Sequence, residues 1–98
     1  MYLLFEQVVA DATVKTVSGL NPPPEATHAE VQATENDVFY TMDGATDPTP
    51  GATGSGMVFR TAHEPKSFLV DDMKRIRFTR AAGADGKISV HWFGGRDI

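Results

Sequence analysis

The stretch that decides the fold is "RIRFTRAAGADGKISVHWF", residues Arg75–Phe93, in which two alternating runs flank a turn signal. Apolar and polar residues alternate in both runs, which is the period of a half-buried β-strand. The predicted inward residues are Ile76, Phe78, Ile88, Val90 and Trp92, and the predicted outward residues are Arg75, Arg77, Thr79, Ser89 and His91. Because Asp85-Gly86 between the runs is a strong hairpin signal, we expect these two strands to pair.

The same two-residue period recurs along the chain, in "HAEVQAT" (28–34) and "DVFYTM" (37–42). Two earlier runs, "LFEQVV" (4–9) and "ATVKTV" (12–17), are rich in β-branched residues, and only "VDDMKR" (70–75) is suited to a helical turn. The prolines of "GLNPPPEAT" (19–27) break the chain, and "TEND" (34–37) predicts a hairpin between the strands around Val31 and Phe39. The pattern predicts an all-β antiparallel sandwich, immunoglobulin-like or jelly-roll-like, with seven or eight strands.

Length and composition limit the classes of protein to consider. The 98 residues suit one domain, 1–98, with 1–4 and 94–98 as candidate extended termini. There is no cysteine, so disulfides and thiolate metal sites are excluded. "MYLLFEQVVA" lacks a basic region before its apolar run and predicts a strand rather than a signal peptide. No run reaches membrane-spanning length, and the net charge of -4 argues against nucleic acid as a partner.

Charge is distributed unevenly along the sequence. Residues 1–59 carry eight acidic residues and one basic residue, whereas residues 60–98 carry eight basic and five acidic residues. Since the two halves of one domain fold against each other, this asymmetry can produce one acidic and one basic face. We expect such a molecule to dock on copies of itself or on a mosaic surface, and the alternative is a set of solvated charges.

Sequence motifs of catalysis are absent. Ser55 lacks the glycine that a nucleophile elbow needs two positions earlier, and Lys87 is followed by Ile88 rather than by the Ser or Thr of a phosphate loop. The three histidines are scattered, which is unlike the convergent ligands of a zinc site. We therefore predict a protein that is not an enzyme and that carries no cofactor.

A long loop, "TMDGATDPTPGATGSG" (41–56), separates two apolar runs. Asp43 and Asp47 are four residues apart with backbone carbonyls between them, and such hard oxygen ligands suit calcium. The loop lacks EF-hand spacing and a closing glutamate, while Asp43-Gly44 is good turn chemistry and Pro48 and Pro50 stiffen the middle of the loop. We interpret it as a shape-setting or contact loop, with a calcium site as the alternative.

Two segments carry a resemblance: "DVFYTMDGATDPTPGATGSGMVF" (37–59) and "SFLVDDMKRIRFTRAAGADGKISVHWF" (67–93), and "ATHAEVQAT" (26–34) extends it. They resemble a group of small tailed-bacteriophage virion proteins. The positions that match its loop and its later strand are Tyr40, Asp43, Gly44, Pro48, Thr49, Ile76, Arg77, Phe78 and Arg80. This sequence departs from the group by an inserted Asp47 and by three prolines at 22–24. A similar hairpin also occurs in the immunoglobulin-like module of chitobiase-type enzymes, where it is not catalytic.

The resemblance implies a virion component with a β-sandwich fold. We expect a capsid decoration or cement protein on the capsid surface, acting as a homo-oligomer that contacts the major capsid protein or other virion proteins. The expected contact residues are Tyr2, Leu3, Leu4, Phe5, Arg75, Arg77, Asp43 and Asp47. The alternatives are a head-to-tail or tail appendage component and a carbohydrate-binding module, in which Trp92, Phe93, Tyr2 and Tyr40 would stack on sugars.

Overall fold

Two antiparallel four-stranded sheets form a β-sandwich in the computed structural model, which describes residues 2–51, 54–81 and 83–94. The strands in this part of the chain are β1 (Tyr2–Ala10), β2 (Lys15–Thr16), β3 (Ala26–Thr34), β4 (Val38–Thr41), β5 (Met57–Phe59), β6 (Lys66–Leu69), β7 (Arg77–Arg80) and β8 (Gly86–Gly94). A 3-10 turn, Val17–Gly19, follows β2, and one helical turn, α1 (Val70–Met73), follows β6. The first sheet has the order β1-β8-β3-β6 and the second β2-β7-β4-β5. The prediction of an all-β sandwich is confirmed.

The core lies between the two sheets and uses the alternation seen in the sequence. The buried apolar residues of the sheets and their flanks include Ala29, Val31, Ala33, Ile88, Val90 and Trp92 from the first sheet and Val38, Tyr40, Phe59, Ile76 and Phe78 from the second. Trp92 is fully buried, and the rings of Tyr40 and Phe59 stack with their centroids 3.9 Å apart. Because each large apolar side chain removed from water contributes about 1.5–3 kcal/mol, these inner faces supply most of the driving force.

Thr79 was predicted to face solvent, and this prediction is wrong. Its side chain is fully buried, and its hydroxyl donates a 2.6 Å hydrogen bond to the carbonyl of Asp11. The backbone N–H of Arg80 donates to the same carbonyl. The connection that leaves β1 thus passes against β7 and covers the outward side of Thr79. The local alternation of β7 does not reveal this connection.

Neither predicted hairpin forms. β3 and β4 lie in different sheets, and so do β7 and β8, so each connection crosses the sandwich. The nine-residue β8 pairs with the nine-residue β1 and β3, while the four-residue β7 pairs with the four-residue β4. Both edges of β8 are thus occupied by β1 and β3 and both edges of β7 by β2 and β4, so neither strand has an edge left to pair with the other. Alternation fixes which side chains face inward but not which strands are neighbours.

The two crossing connections bind each other at one end of the sandwich. Asn36 Nδ2 donates a 2.9 Å hydrogen bond to the carbonyl of Asp85, and the N–H of Ala81 donates to the carbonyl of Asp37. Gly86 packs so closely here that a Cβ atom at this position would lie 2.5 Å from the carbonyl oxygen of Asn36. The Asp85-Gly86 pair therefore marks a close approach between two connections rather than a hairpin turn.

β4 and β5 pair across the long loop, with Val38 opposite Phe59 and Tyr40 opposite Met57. The loop therefore joins two neighbouring strands of the second sheet. At the N-terminus, Tyr2–Leu4 belong to β1 and lie along β8, so these residues are part of the sheet rather than an extended tail. Gly94 ends β8, and the rest of the predicted C-terminal extension, 95–98, lies outside the described residues, as does Met1.

Candidate docking surface

The outward side of the first sheet concentrates exposed apolar side chains, and we call it the aromatic face. Its outward residues are Tyr2, Phe5, Gln7, Val9, His28, Glu30, Gln32, Thr34, Ser67, Leu69, Lys87, Ser89, His91 and Phe93. Four of the five exposed large hydrophobic residues in the described ranges, Tyr2, Phe5, Val9 and Leu69, lie on this face and are 41–65% exposed. Such clustering is typical of an interaction surface.

Two register shifts lie at one end of the first sheet, and one of them sets the orientation of the first residues of β1. One shift lies between Tyr2 and Leu4 in β1 and the other between Ala26 and His28 in β3. Because the strand carries an extra residue at such a bulge, Tyr2 faces outward although Leu4 faces inward. The four residues expected to form one contact segment are therefore divided: Tyr2 and Phe5 are exposed, while Leu3 and Leu4 pack against the core.

Rings on the aromatic face contact one another around His91. The His91 ring lies 4.8 Å from the ring of Phe5 and 5.3 Å from that of Tyr2, measured between centroids. His28 stacks on Phe93 at 5.1 Å with nearly parallel planes. Mutual packing of this kind restricts the rotamers of exposed rings, so the surface is preorganised for contact.

A groove of about 230 Å³ opens on the same face, beside the ring cluster. It is lined by Phe5, Glu30, Gln32, Thr34, Pro65, Ser89 and His91. Gln32 Nε2 donates to the carbonyl of His63, and Ser89 Oγ accepts a hydrogen bond from Gln7. Within the described part of the chain, no hydrogen bond or ion pair engages the carboxylate of Glu30.

Sequence reasoning did not single out Glu30 or Gln32, although a signal was present. The alternation of "HAEVQAT" placed both residues on the outward side of β3, and that of "KISVHWF" did the same for His91. The alternation could not show that β3 and β8 are neighbours, with Glu30 directly opposite His91.

Asp43 organises the start of the long loop. Its Oδ1 accepts hydrogen bonds from the N–H groups of Ala45 and Thr46 at 2.9 and 2.8 Å, and its Oδ2 accepts one from the Thr46 hydroxyl at 2.6 Å. The Thr46 hydroxyl, followed by these backbone N–H groups, lowers the pKa of the Asp43 carboxyl from 3.8 to about 2. The carboxylate thus closes an Asx-type turn, as its position before Gly44 indicated.

Arg77 occupies the place in this loop that a bound cation would need. Its guanidinium donates to the carbonyls of Gly44 and Ala45 at 2.9 and 3.1 Å and to Asp47 Oδ1 at 2.6 Å. Asp43 and Asp47 therefore point at different partners rather than at one ion, and among the described residues no group of three acidic or histidine side chains could hold a metal. Arg77 of β7 thus donates to the loop carbonyl and Asp47 carboxylate oxygens that the calcium interpretation assigned to an ion.

Arg75 differs from Arg77 in its surroundings. It was expected on the same strand face, but it lies in the turn between α1 and β7, because β7 begins only at Arg77. Arg75 is exposed, and its Cβ and Cγ atoms lie against Gly44. Of the basic residues in the described ranges, Arg75 alone has no side-chain hydrogen bond, ion pair or cation–π contact, and it is therefore free to meet a partner.

The uneven charge of the two halves is partly neutralised within the fold. Among the described residues, three ion pairs join acidic residues of the first half to basic residues of the second: Asp37–Arg60, Asp47–Arg77 and Glu35–Lys87. Exposed pairs of this kind contribute little to stability, about 0–1 kcal/mol each. The uneven charge of the sequence therefore produces contacts between its two halves and does not simply separate an acidic face from a basic one.

The sugar-stacking set predicted from the sequence does not share one surface. Trp92 and Tyr40 are buried in the core, and the Trp92 indole donates a 2.6 Å hydrogen bond to Glu6. Phe93 and Tyr2 lie on the aromatic face, where they contact each other at 6.0 Å. A platform built on Trp92 is therefore wrong for this fold.

No protein-family model, curated protein or solved structure matches this chain. Among the described residues, no helix is long and apolar enough to span a membrane.

Proposed function

We propose that this protein is a non-enzymatic structural component of a bacteriophage virion, which decorates the capsid surface and reinforces contacts between capsomers. The observation that carries the proposal is the aromatic face, where Tyr2, Phe5, Val9 and Leu69 expose apolar surface on one side of a rigid sheet. The resemblance of residues 26–34, 37–59 and 67–93 to small virion proteins supports the same assignment.

Docking through this face requires no chemistry, only burial of apolar area and complementary polar contacts. The face is built on hydrogen-bonded strands of one sheet, so its side chains keep their relative positions when a partner binds. A capsid presents the same binding site many times, and an oligomer that engages several copies gains effective concentration with each contact. Modest individual contacts are then sufficient for stable association with a shell.

Quantitative protein analysis of particles purified by density gradient, from the phage that encodes this chain, tests the proposal. We expect the chain to remain with the particles and to be present in many copies, because a shell repeats its sites in large number. A copy number matching a single unique vertex would assign it to the head-to-tail region or a tail appendage instead. Presence only in the infected-cell lysate would refute a virion role altogether.

A further inference from the structure

We propose that the groove on the aromatic face binds a cationic side chain, arginine or lysine, presented by the partner on which the protein docks. Phe5 and Glu30 both line the groove, so an aromatic and an acidic residue lie in its walls. Glu30 lines the groove, and nothing in residues 2–51, 54–81 and 83–94 pairs with its carboxylate. The partner's identity as a shell protein rests on the function proposed above, whereas the chemistry of the groove does not.

Two acceptors in the residues that line the groove suit a ligand that donates. Gln32 uses its Nε2 to donate to the carbonyl of His63, so its side-chain oxygen is the group left to accept. The Glu30 carboxylate accepts only, and it has room for several hydrogen bonds. Guanidinium and ammonium groups donate only, and their hydrogen bonds to a carboxylate are about twice as strong as neutral ones.

Charge and shape point to the same class of ligand. Glu64, the sequence neighbour of the groove-lining Pro65, is a second carboxylate without a hydrogen bond or ion pair among the described residues. The rings of Phe5 and His91, 4.8 Å apart, form an apolar wall along which the methylene stem of a long basic side chain can pack. The charged head then reaches Glu30, which lies opposite His91 on the neighbouring strand.

A neutral sugar fits this site less well. A pyranose hydroxyl can donate a hydrogen bond to the Glu30 carboxylate, but it carries no positive charge. A neutral ligand therefore lacks the ion pair that a guanidinium or ammonium group would form with this carboxylate. Sugar binding is therefore an outcome that the experiment must be able to detect and that would overturn the inference.

The test is an NMR titration of the ¹⁵N-labelled protein with three probes: N-acetyl-arginine amide, N-acetyl-lysine amide and N-acetylglucosamine. We expect the cationic probes to shift the backbone amide signals of Phe5, Glu30, Gln32, Ser89 and His91. Probes are added to about 20 mM, well above the roughly millimolar Kd that a ligand of about 15 heavy atoms reaches. The sugar should leave these signals unchanged, and the arginine-to-lysine ratio identifies the preferred cation.

Variants identify the carboxylate as the anchor. Glu30→Gln should weaken binding of the cationic probes at least about tenfold, because it removes a charge-assisted hydrogen bond. Phe5→Ala should weaken it by about threefold, because the methylene stem of the ligand loses the ring against which it packs. Glu25→Gln is the matched control, since Glu25 is exposed and without a hydrogen bond or ion pair in the described ranges, and the substitution changes net charge equally. It should bind like the wild type.

Three results would overturn the inference: no groove shifts with either cation, equal shifts in the Glu30→Gln and wild-type proteins, or shifts caused by the sugar. These results are separate from the fate of the proposed function. A protein that is abundant on purified particles but binds no cation refutes the groove chemistry alone. A protein that binds the cations but is absent from particles refutes the virion role alone.

Discussion

Gly86→Ala tests the close approach of the two connections that cross the sandwich. The new methyl group would lie 2.5 Å from the carbonyl oxygen and 3.1 Å from the carbonyl carbon of Asn36. Since real Cβ atoms do not come closer than about 3.0 Å to such atoms, the Asn36 turn must move. That turn resists movement, because Glu35 holds a left-handed φ of 71° and Asn36 Nδ2 is bonded to the carbonyl of Asp85.

Overpacking of this kind costs about 1–3 kcal/mol. For a domain of this size, we expect a fall in Tm of roughly 4–8 °C per kcal/mol. Urea unfolding followed by fluorescence measures the free energy directly, because Trp92, the only tryptophan of the chain, is fully buried in the native state. The slope of the unfolding free energy against urea should stay the same, since the surface exposed on unfolding does not change.

Gly83→Ala is the matched control, because a Cβ at Gly83 meets nothing within 4 Å and its φ is not left-handed. This substitution should be neutral or stabilising by up to about 1 kcal/mol, through reduced freedom of the unfolded chain. If Gly86→Ala leaves stability within about 0.3 kcal/mol of the wild type, or if both variants lose the same amount, the close approach is refuted.

Three further outcomes depend on individual contacts. Glu6→Ala removes the acceptor of the Trp92 indole and of the Asn21 backbone N–H and side-chain amide, and it should lower stability by about 1–3 kcal/mol in urea unfolding, whereas an unchanged midpoint would contradict the role of these bonds. Because the pKa of Asp43 is lowered from 3.8 to about 2, the stability that its ionised form contributes is present above pH 3.8 and is lost as the pH falls through about 2. NMR spectra should accordingly show the Thr46 amide signal unchanged at pH 4 and shifting only near pH 2. A titration midpoint of this signal near pH 3.8 would refute the lowered pKa of Asp43. Arg77→Lys should speed hydrogen exchange of residues 44–47 with little change in global stability. Lysine cannot span the two loop carbonyl oxygens and the Asp47 carboxylate oxygen that the guanidinium contacts. Unchanged exchange would show that the guanidinium does not hold the loop.

The sequence predicted well what depends on alternation and poorly what depends on pairing. The inward positions of β3, β4 and β8 agree with the two-residue period, and the sandwich results from the inward faces. Strand neighbours cannot be obtained in this way, because Asp85-Gly86 is equally compatible with a hairpin and with a crossing. The sequence alone could not distinguish these, since the deciding contact, between Gly86 and Asn36, joins residues 50 positions apart.

The aromatic face was also only partly predictable, because its composition depends on strand pairing as well as on alternation. Tyr2 and Phe5 were expected to be contact residues and are exposed, but the bulge that turns Leu3 and Leu4 toward the core depends on pairing with β8. The groove brings Phe5 together with Glu30 from a strand two positions across the sheet. Arg77 was expected at a contact, and its role inside the loop became visible only with the loop's carbonyl geometry.

In the function proposed above, the aromatic face docks the protein on a viral shell, and this docking can be measured. It is tested most directly by co-sedimenting purified protein with particles that lack it, comparing the wild type with Tyr2→Ser/Phe5→Ser. Met57→Ser is the control, because Met57 is an apolar residue on the other sheet that is at least as exposed as Tyr2 and Phe5. With Trp92 fluorescence showing that all three are folded, we predict that the double variant loses binding by about thirtyfold or more, as loss of aromatic anchors at an interface does, while the control binds like the wild type. Equal binding of the double variant and the wild type would contradict the account.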